Sequence, residues 1–112
     1  MTEYFSILLS TEVEEFLDSI DEKARNKILY NIDKAKITLD PKIFKKLTQE
    51  IWEFRAKYGS LQYRLFAFWD KRDNKNTLVI ATHGFVKKTQ KAPKQEIEKA
   101  MRIREFYFSK TK

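Results

Sequence analysis

Residues 51–70 read IWEFRAKYGSLQYRLFAFWD, and this stretch decides the fold. Residues 51–57 alternate, with Trp52 and Phe54 on one face and Glu53 and Arg55 on the other, as a half-buried strand does. The residues at 58–60, Tyr-Gly-Ser, have the composition of a tight turn. Residues 61–70 are a second, aromatic-rich strand pattern. Two such strands joined by a short turn predict an antiparallel hairpin.

The flanking segments extend this hairpin in both directions. A turn at residues 73–76 and an apolar run at 77–85 predict a third antiparallel strand. Upstream, residues 4–9 predict a short strand, and two amphipathic helices follow. The first helix begins at Ser10 or Thr11, and the second ends before the Asp-Pro pair at 40–41. Pro93 suits the first turn of a final helix, so the predicted order is β-α-α-β-β-β-α.

This order predicts an α+β fold: a small, mostly antiparallel sheet with two N-terminal helices on one face, plus a C-terminal helix. The sheet's other face is expected to be open and charged. A length of 112 residues predicts a single domain spanning 1–112. No apolar run reaches the length of a membrane span, and residues 1–10 lack the pattern of a signal peptide. The chain has no cysteine, and we expect a cytoplasmic protein.

The charge is unevenly distributed along the chain. The net charge of +7 divides into −2 for residues 1–50 (8 Lys/Arg, 10 Asp/Glu) and +9 for residues 51–112 (15 Lys/Arg, 6 Asp/Glu). Such a basic half indicates a polyanionic partner. The alternative, that lysines only keep a small domain soluble, applies best to scattered helix lysines such as Lys94 and Lys99.

The strongest concentration of cations follows the last predicted strand. Residues 83–93 read HGFVKKTQKAP, which places three lysines, a histidine and an aromatic before the final helix. Arg55 and Arg64 lie on the two preceding strands and face the same side if the hairpin register allows. Cations at strand ends suit phosphate groups, so nucleic acid is the leading ligand class.

These motifs occur in an order that resembles the RelE/HigB-type toxins, in particular the phage-derived HigB-like branch. The resemblance covers roughly residues 4–107, and FVKKTQKxP is its most specific part. The motifs are Lys46-Leu47, Trp52-Glu53-Phe54-Arg55, Tyr63-Arg64, HGFVKKTQK at 83–91, Pro93, and Glu96-Ile97-Glu98-Lys99-Ala100.

The resemblance implies an mRNA interferase, an endoribonuclease that cleaves mRNA on the ribosome. Cleavage is expected without a metal or cofactor, by attack of the 2′-hydroxyl on the adjacent phosphate. The implied partners are mRNA and a helix-turn-helix antitoxin that neutralises the toxin in a hetero-oligomer. The alternative is a non-catalytic RNA- or protein-binding module of phage origin on the same fold.

Specific residues match the family's positions. Arg64 matches the arginine after tyrosine in the central strand, and Arg55 matches the Glu-x-Arg arginine of the strand before it. Lys87 and Lys88 match the basic pair, which would bind phosphate or protonate the leaving group. All four are predicted catalytic.

The residue that accepts the proton of the 2′-hydroxyl is left open between two candidates. His83, with an ordinary pKa near neutrality, and Glu53 are alternatives, although His83 could simply order a turn and Glu53 could pair with an arginine. Glu53, Phe85 and Lys91 are predicted to contact substrate. An aromatic on the open face, such as Phe66, Phe68 or Phe85, could stack on a base.

Overall fold

The computed structural model describes residues 2–73, 77–88 and 93–110. Within these ranges the chain forms a five-stranded mixed sheet and three helices, which confirms the α+β prediction. The elements are β1 Ser6–Leu9, α1 Thr11–Ser19, α2 Glu22–Thr38, β2 Phe44–Lys46, β3 Trp52–Tyr58, β4 Leu61–Asp70, β5 Leu78–Lys87 and α3 Lys94–Lys110.

The sheet order is β1-β5-β4-β3-β2. The predicted meander is present as β3-β4-β5, paired antiparallel throughout. The sheet is mostly antiparallel, as expected, and the exception is at one edge, where β1 pairs parallel to β5. The strand β2 is an addition that the sequence did not predict, and it pairs antiparallel to β3. Asp73 begins the predicted turn at 73–76, whose remaining residues lie outside the described ranges.

The helix starts follow the capping chemistry of the sequence. Ser10 is the N-cap of α1: its hydroxyl accepts from the backbone N–H of Val13 and donates to the carbonyl of Thr82 on β5. Asp21 is the N-cap of α2, and its carboxylate accepts from the backbone N–H groups of Lys23 and Ala24. The helix α2 ends at Thr38, and its C-cap is Leu39, whose φ of 51° is left-handed, two residues before Pro41.

The two faces of the sheet carry two separate apolar clusters. The first face packs against α1 and α2, and its buried side chains include Phe54, Tyr63 and Leu65. Gly84 permits this packing, because a Cβ there would lie 2.4 Å from the ring of Phe16 on α1. Trp52 and Trp69 pack on the same cluster, as expected for sheet core.

The second face is not fully open, contrary to the expectation. The helix α3 crosses it and buries Phe66 and Phe68 completely against Ala100, with Ile97 and Met101 alongside. Neither Phe66 nor Phe68 is therefore available to stack on a base. The half of this face beyond α3 carries the charged side chains, and it contains the candidate site.

None of the helices in the described ranges is long and apolar enough to cross a membrane.

Candidate functional site

Strand register brings the predicted site residues onto the second face of the sheet. Arg55 on β3 lies directly opposite Arg64 on β4, which in turn lies opposite Phe85 on β5. Since neighbouring strands present the same face at paired positions, these side chains project together. The same alternation adds three charged residues: Glu53 opposite Phe66, Lys45 of β2 opposite Glu53, and Lys87 opposite Gln62.

We call Lys45, Glu53, Arg55, Arg64 and Lys87 the basic cluster. It holds four cations and one carboxylate. Like charges directly opposite on neighbouring strands are destabilising, so the Arg55–Arg64 pair costs the fold stability. An arrangement that is over-positive when empty is suited to an anion with several oxygens.

Arg64 is the centre of this cluster and is 3% exposed. Its Nε lies 2.9 Å from Oε1 of Glu53, an ion pair that is not aligned as a hydrogen bond. Its Nη1 donates to the carbonyl of Tyr63 at 3.0 Å, and its Nη2 donates to Oε1 of Gln62 at 2.8 Å. These contacts hold the guanidinium plane in place, so its orientation does not depend on a ligand.

Burial and charge both act on the pKa values of the cluster. Burial is the main cause that lowers the pKa of Arg64, with Arg55 adding to it and Glu53 opposing it. Burial also lowers the pKa of Lys87 below that of an ordinary lysine, and the charges of Arg64 and Arg55 lower it further. An ammonium with a lowered pKa releases its proton more readily, which suits a general acid.

His83 lies outside this cluster, beneath α3. It is 1% exposed, its Nε2 is 2.9 Å from Oε1 of Glu96, and its Nδ1 is 3.0 Å from the hydroxyl of Thr82. Burial lowers the pKa of His83, while Glu96 opposes the shift. Both ring nitrogens therefore have protein partners, and the imidazole connects β5 to the first turn of α3.

A β-bulge explains why the histidine takes this position. Phe66 pairs with His83 and Ala67 pairs with Ala81, so Thr82 is an extra residue on β5. The hydroxyl of Thr82 donates to the carbonyl of Phe66 at 3.2 Å. The bulge turns the His83 side chain toward α3, and re-aiming a side chain is a common use of this irregularity.

Phe85 marks the border between the apolar part of the second face and the basic cluster. It is half-buried, with its ring edge-to-face on Phe66 at 5.0 Å and stacked near His83 at 5.9 Å. Of the three aromatic residues proposed for base stacking, Phe85 is the one that retains exposed surface. Lys88 is exposed just after β5, and Lys91 lies outside the described residues.

Sequence reasoning missed two residues, the partner of His83 and one cation of the basic cluster. Glu96 binds His83 from 13 residues away, and no periodicity links a helix position to a strand bulge. Lys45 belongs to β2, whose three residues are too few to show an alternating pattern. The sequence signal for the His83 partner was Glu96, an acidic residue shortly after Pro93. An acidic residue is typical of the first turn of any helix, so it does not predict a contact with His83.

Comparison with known proteins gives one assignment. A family model described as phage-derived Gp49-like protein (DUF891) matches residues 15–105, which include every described residue of the basic cluster. A search of curated protein sequences found no match. Because the family model covers most of the 112 residues, the chain belongs to the Gp49-like family of phage-derived proteins.

Proposed function

We propose that this protein is an endoribonuclease toxin of the RelE/HigB type, acting on mRNA in the ribosome. The observation that carries the proposal is the uncompensated positive charge of the basic cluster, with Arg55 and Arg64 on opposed strand positions. Membership of a phage-derived family and the ordered toxin-like motifs support the same assignment. A helix-turn-helix antitoxin is the proposed partner, and the cytoplasm the proposed location.

The proposed reaction is an internal transesterification. The 2′-oxygen attacks the adjacent phosphorus and the bond to the 5′-oxygen breaks, which leaves a 2′,3′-cyclic phosphate and a 5′-hydroxyl. Extra negative charge develops on the phosphoryl oxygens during this step. The forks of Arg55 and Arg64 stabilise that charge, because preorganised donors are most effective where charge develops.

Two proton transfers accompany the attack. Lys87 donates a proton to the departing 5′-oxygen, a role that its lowered pKa supports. Glu53 is the carboxylate in the basic cluster, and we assign it the proton of the 2′-hydroxyl. We assign His83 the role of positioning α3 on β5, since its two ring nitrogens contact Thr82 of β5 and Glu96 of α3.

A non-catalytic RNA-binding module is the second candidate, favoured by one observation. Arg64 and Glu53 are almost fully buried and paired with each other, as structural ion pairs often are. A basic surface of this kind would still bind a nucleic acid backbone without cleaving it.

Induced expression in bacteria tests the proposal. Wild type, Arg64→Lys and the control Arg102→Lys would be compared by growth and by mapping of mRNA 5′ ends. Arg102 is an exposed arginine of α3, so its replacement controls for the loss of a guanidinium at the surface. We expect growth arrest and new cleavage ends within translated frames for wild type and Arg102→Lys, and neither for Arg64→Lys.

Two results would contradict the proposal. Full toxicity of soluble Arg64→Lys would remove Arg64 from the site. Normal growth with intact mRNA in cells containing soluble wild type would favour the binding module.

A further inference from the structure

A second basic feature lies beside the cluster, along the outer edge of β3. It is an open groove of about 620 Å³, and its cationic lining residues come from four separate parts of the chain. They are Lys27 of α2, Lys42 before β2, Arg55 and Lys57 of β3, and Arg64 of β4. We call it the edge groove.

The groove exists because β2 is short. The pairing of β2 with β3 ends at Phe44–Phe54, and the residues of β3 beyond Phe54 have no strand on that side within the described residues. Two hydrogen bonds hold the backbone of β3 at this point. Arg55 donates its backbone N–H to the carbonyl of Ile43, and the side-chain amide of Asn31 on α2 donates to the carbonyl of Arg55.

The charge of the groove is of one sign. No carboxylate is among the described residues that line it. Of its five cations, Arg64 alone forms an ion pair within the described parts of the chain. Lys27 also lies 5.7 Å from the ring centre of Tyr30, an aromatic that is 61% exposed. A one-sign groove next to an exposed aromatic ring is the usual arrangement for single-stranded nucleic acid.

Arg55 and Arg64 belong to both the basic cluster and the edge groove. A ligand whose phosphate contacts these arginines can therefore continue into the groove without leaving the positive surface. We infer that the edge groove binds the sugar–phosphate backbone of single-stranded RNA on one side of the cleaved bond, with Lys27, Lys42 and Lys57 as its phosphate contacts. This inference rests on the proposed function for the identity of the reacting bond.

The test measures binding separately from cleavage. Wild type would be compared with the triple variant Lys27→Gln/Lys42→Gln/Lys57→Gln and with a matched control, Lys23→Gln/Lys34→Gln/Lys94→Gln. The control removes three exposed lysines that do not line the groove. The probe is a fluorescent 2′-O-methyl RNA of about 12 nucleotides, which lacks the attacking hydroxyl, titrated across a range of salt concentrations.

Each phosphate contact to single-stranded nucleic acid contributes about 0.7 to the slope of log affinity against log salt. The slope of the groove variant should therefore be smaller than that of wild type by about 2. Between 1 M and 0.1 M salt, the affinity of wild type should then rise by on the order of a hundredfold more than that of the variant. The control should lose much less. An equal loss in both triple variants would overturn the inference, since it would reflect net charge alone.

A cleavage assay separates this inference from the proposed function. On ribosomes carrying a defined mRNA, the control variant should cleave with the wild-type kcat/KM, whereas the groove variant should show a reduced kcat/KM. Cleavage of that mRNA with the wild-type kcat/KM by the groove variant would overturn the inference while the nuclease assignment stands. Retained RNA affinity together with lost binding of an acidic protein segment would overturn it in favour of a protein partner.

Discussion

Two carboxylate–arginine groups lie toward opposite ends of strand β4, Asp70 with Arg72 and Glu53 of β3 with Arg64, and they differ in structure. At one end, Asp70 accepts hydrogen bonds from the backbone N–H, Nε and Nη2 of Arg72 and from the hydroxyl of Tyr107. At the other end, Glu53 is a single carboxylate among four cations. The Asp70 group joins β4 to α3, whereas the cluster around Glu53 has a net positive charge that suits an anionic ligand.

Residue type alone does not distinguish a structural ion pair from a candidate binding site. Hydrogen bonds from Arg72 are the main cause that holds the pKa of Asp70 well below its usual range, so this carboxylate is stabilised as an anion by its own neighbours. In the basic cluster, by contrast, burial is the main cause that lowers the pKa values of Lys87 and Arg64, neighbouring cations lower them further, and Glu53 opposes both shifts. The balance of charge around each group is what differs.

The largest effect on stability is expected from Glu53→Gln. Removing this buried carboxylate leaves the Arg64 guanidinium unpaired among other cations, and we expect a loss of about 3 kcal/mol in the free energy of unfolding. Urea denaturation at low salt measures it, and pyrophosphate should recover part of the loss because an anion binding the folded state stabilises it. Asp33→Asn, at an exposed ion pair with Lys36, is the control and should change little. Wild-type stability of Glu53→Gln would show that the cluster is not over-positive.

The next effect is on catalysis, from Lys87→Ala. Loss of a positioned general acid should lower kcat by about a hundredfold or more. Purified protein and ribosomes carrying a defined mRNA measure it, with Lys34→Ala, an exposed lysine of α2, as the control. An unchanged kcat would remove Lys87 from the reaction.

The pH dependence sharpens the same assignment. A general acid acts in its protonated form, so kcat should fall as pH rises through the lowered pKa of Lys87. The alkaline limb should therefore begin below the ordinary pKa of lysine, and it should be absent in Lys87→Ala. A kcat that is flat with pH up to the ordinary lysine range would contradict the role.

A smaller effect is expected at the opposite end of β4, from Tyr107→Phe. This change removes one hydrogen bond to Asp70 at 2.8 Å, and we expect a loss of about 1 kcal/mol in stability. RNA cleavage should be unchanged, since this group lies outside the basic cluster. Tyr4→Phe, at an exposed ring, is the control. A large loss of activity in folded Tyr107→Phe would mean that the two ends are not independent.

The smallest effect concerns His83, which lies between the two ends. Its pKa is lowered in the folded state by burial, with Lys99 adding to the shift and Glu96 and Glu12 opposing it. The unfolded state therefore binds more protons once the pH falls to the ordinary histidine range, near 6.5, and stability should decline as pH falls from there to the folded-state pKa. His83→Gln should weaken this decline in denaturation curves measured between pH 8 and 5. A decline of equal size in the variant would assign it to other groups.

Much of the fold was predictable because it depends on local patterns. The alternation in β4 correctly separated Tyr63, Leu65 and Ala67 from Arg64, Phe66 and Phe68. The expectation that Arg55 and Arg64 share a face is confirmed, since a turn at residues 59–60 sets their register. Gly59, at a φ of 61°, supplies the conformation that this turn requires.

Other features were not predictable from local patterns. The parallel pairing of β1 with β5 joins residues about 70 positions apart, and no local signal records such a choice. The position of α3 on the second face was also missed, because an amphipathic helix shows that it packs but not where. The bulge at Thr82 is an irregularity of pairing, which one strand cannot show alone.

By itself, the sequence determined the α+β element order, the two faces of the central hairpin, and the residue types available for binding phosphate. Those properties follow from periodicity and composition, which act over a few residues. Only the tertiary structure decided that His83 is buried against Glu96, that Lys45 joins the basic cluster, and that an edge groove opens beside Arg55. These depend on which distant segments meet, and that is set by packing of the whole sheet and its helices.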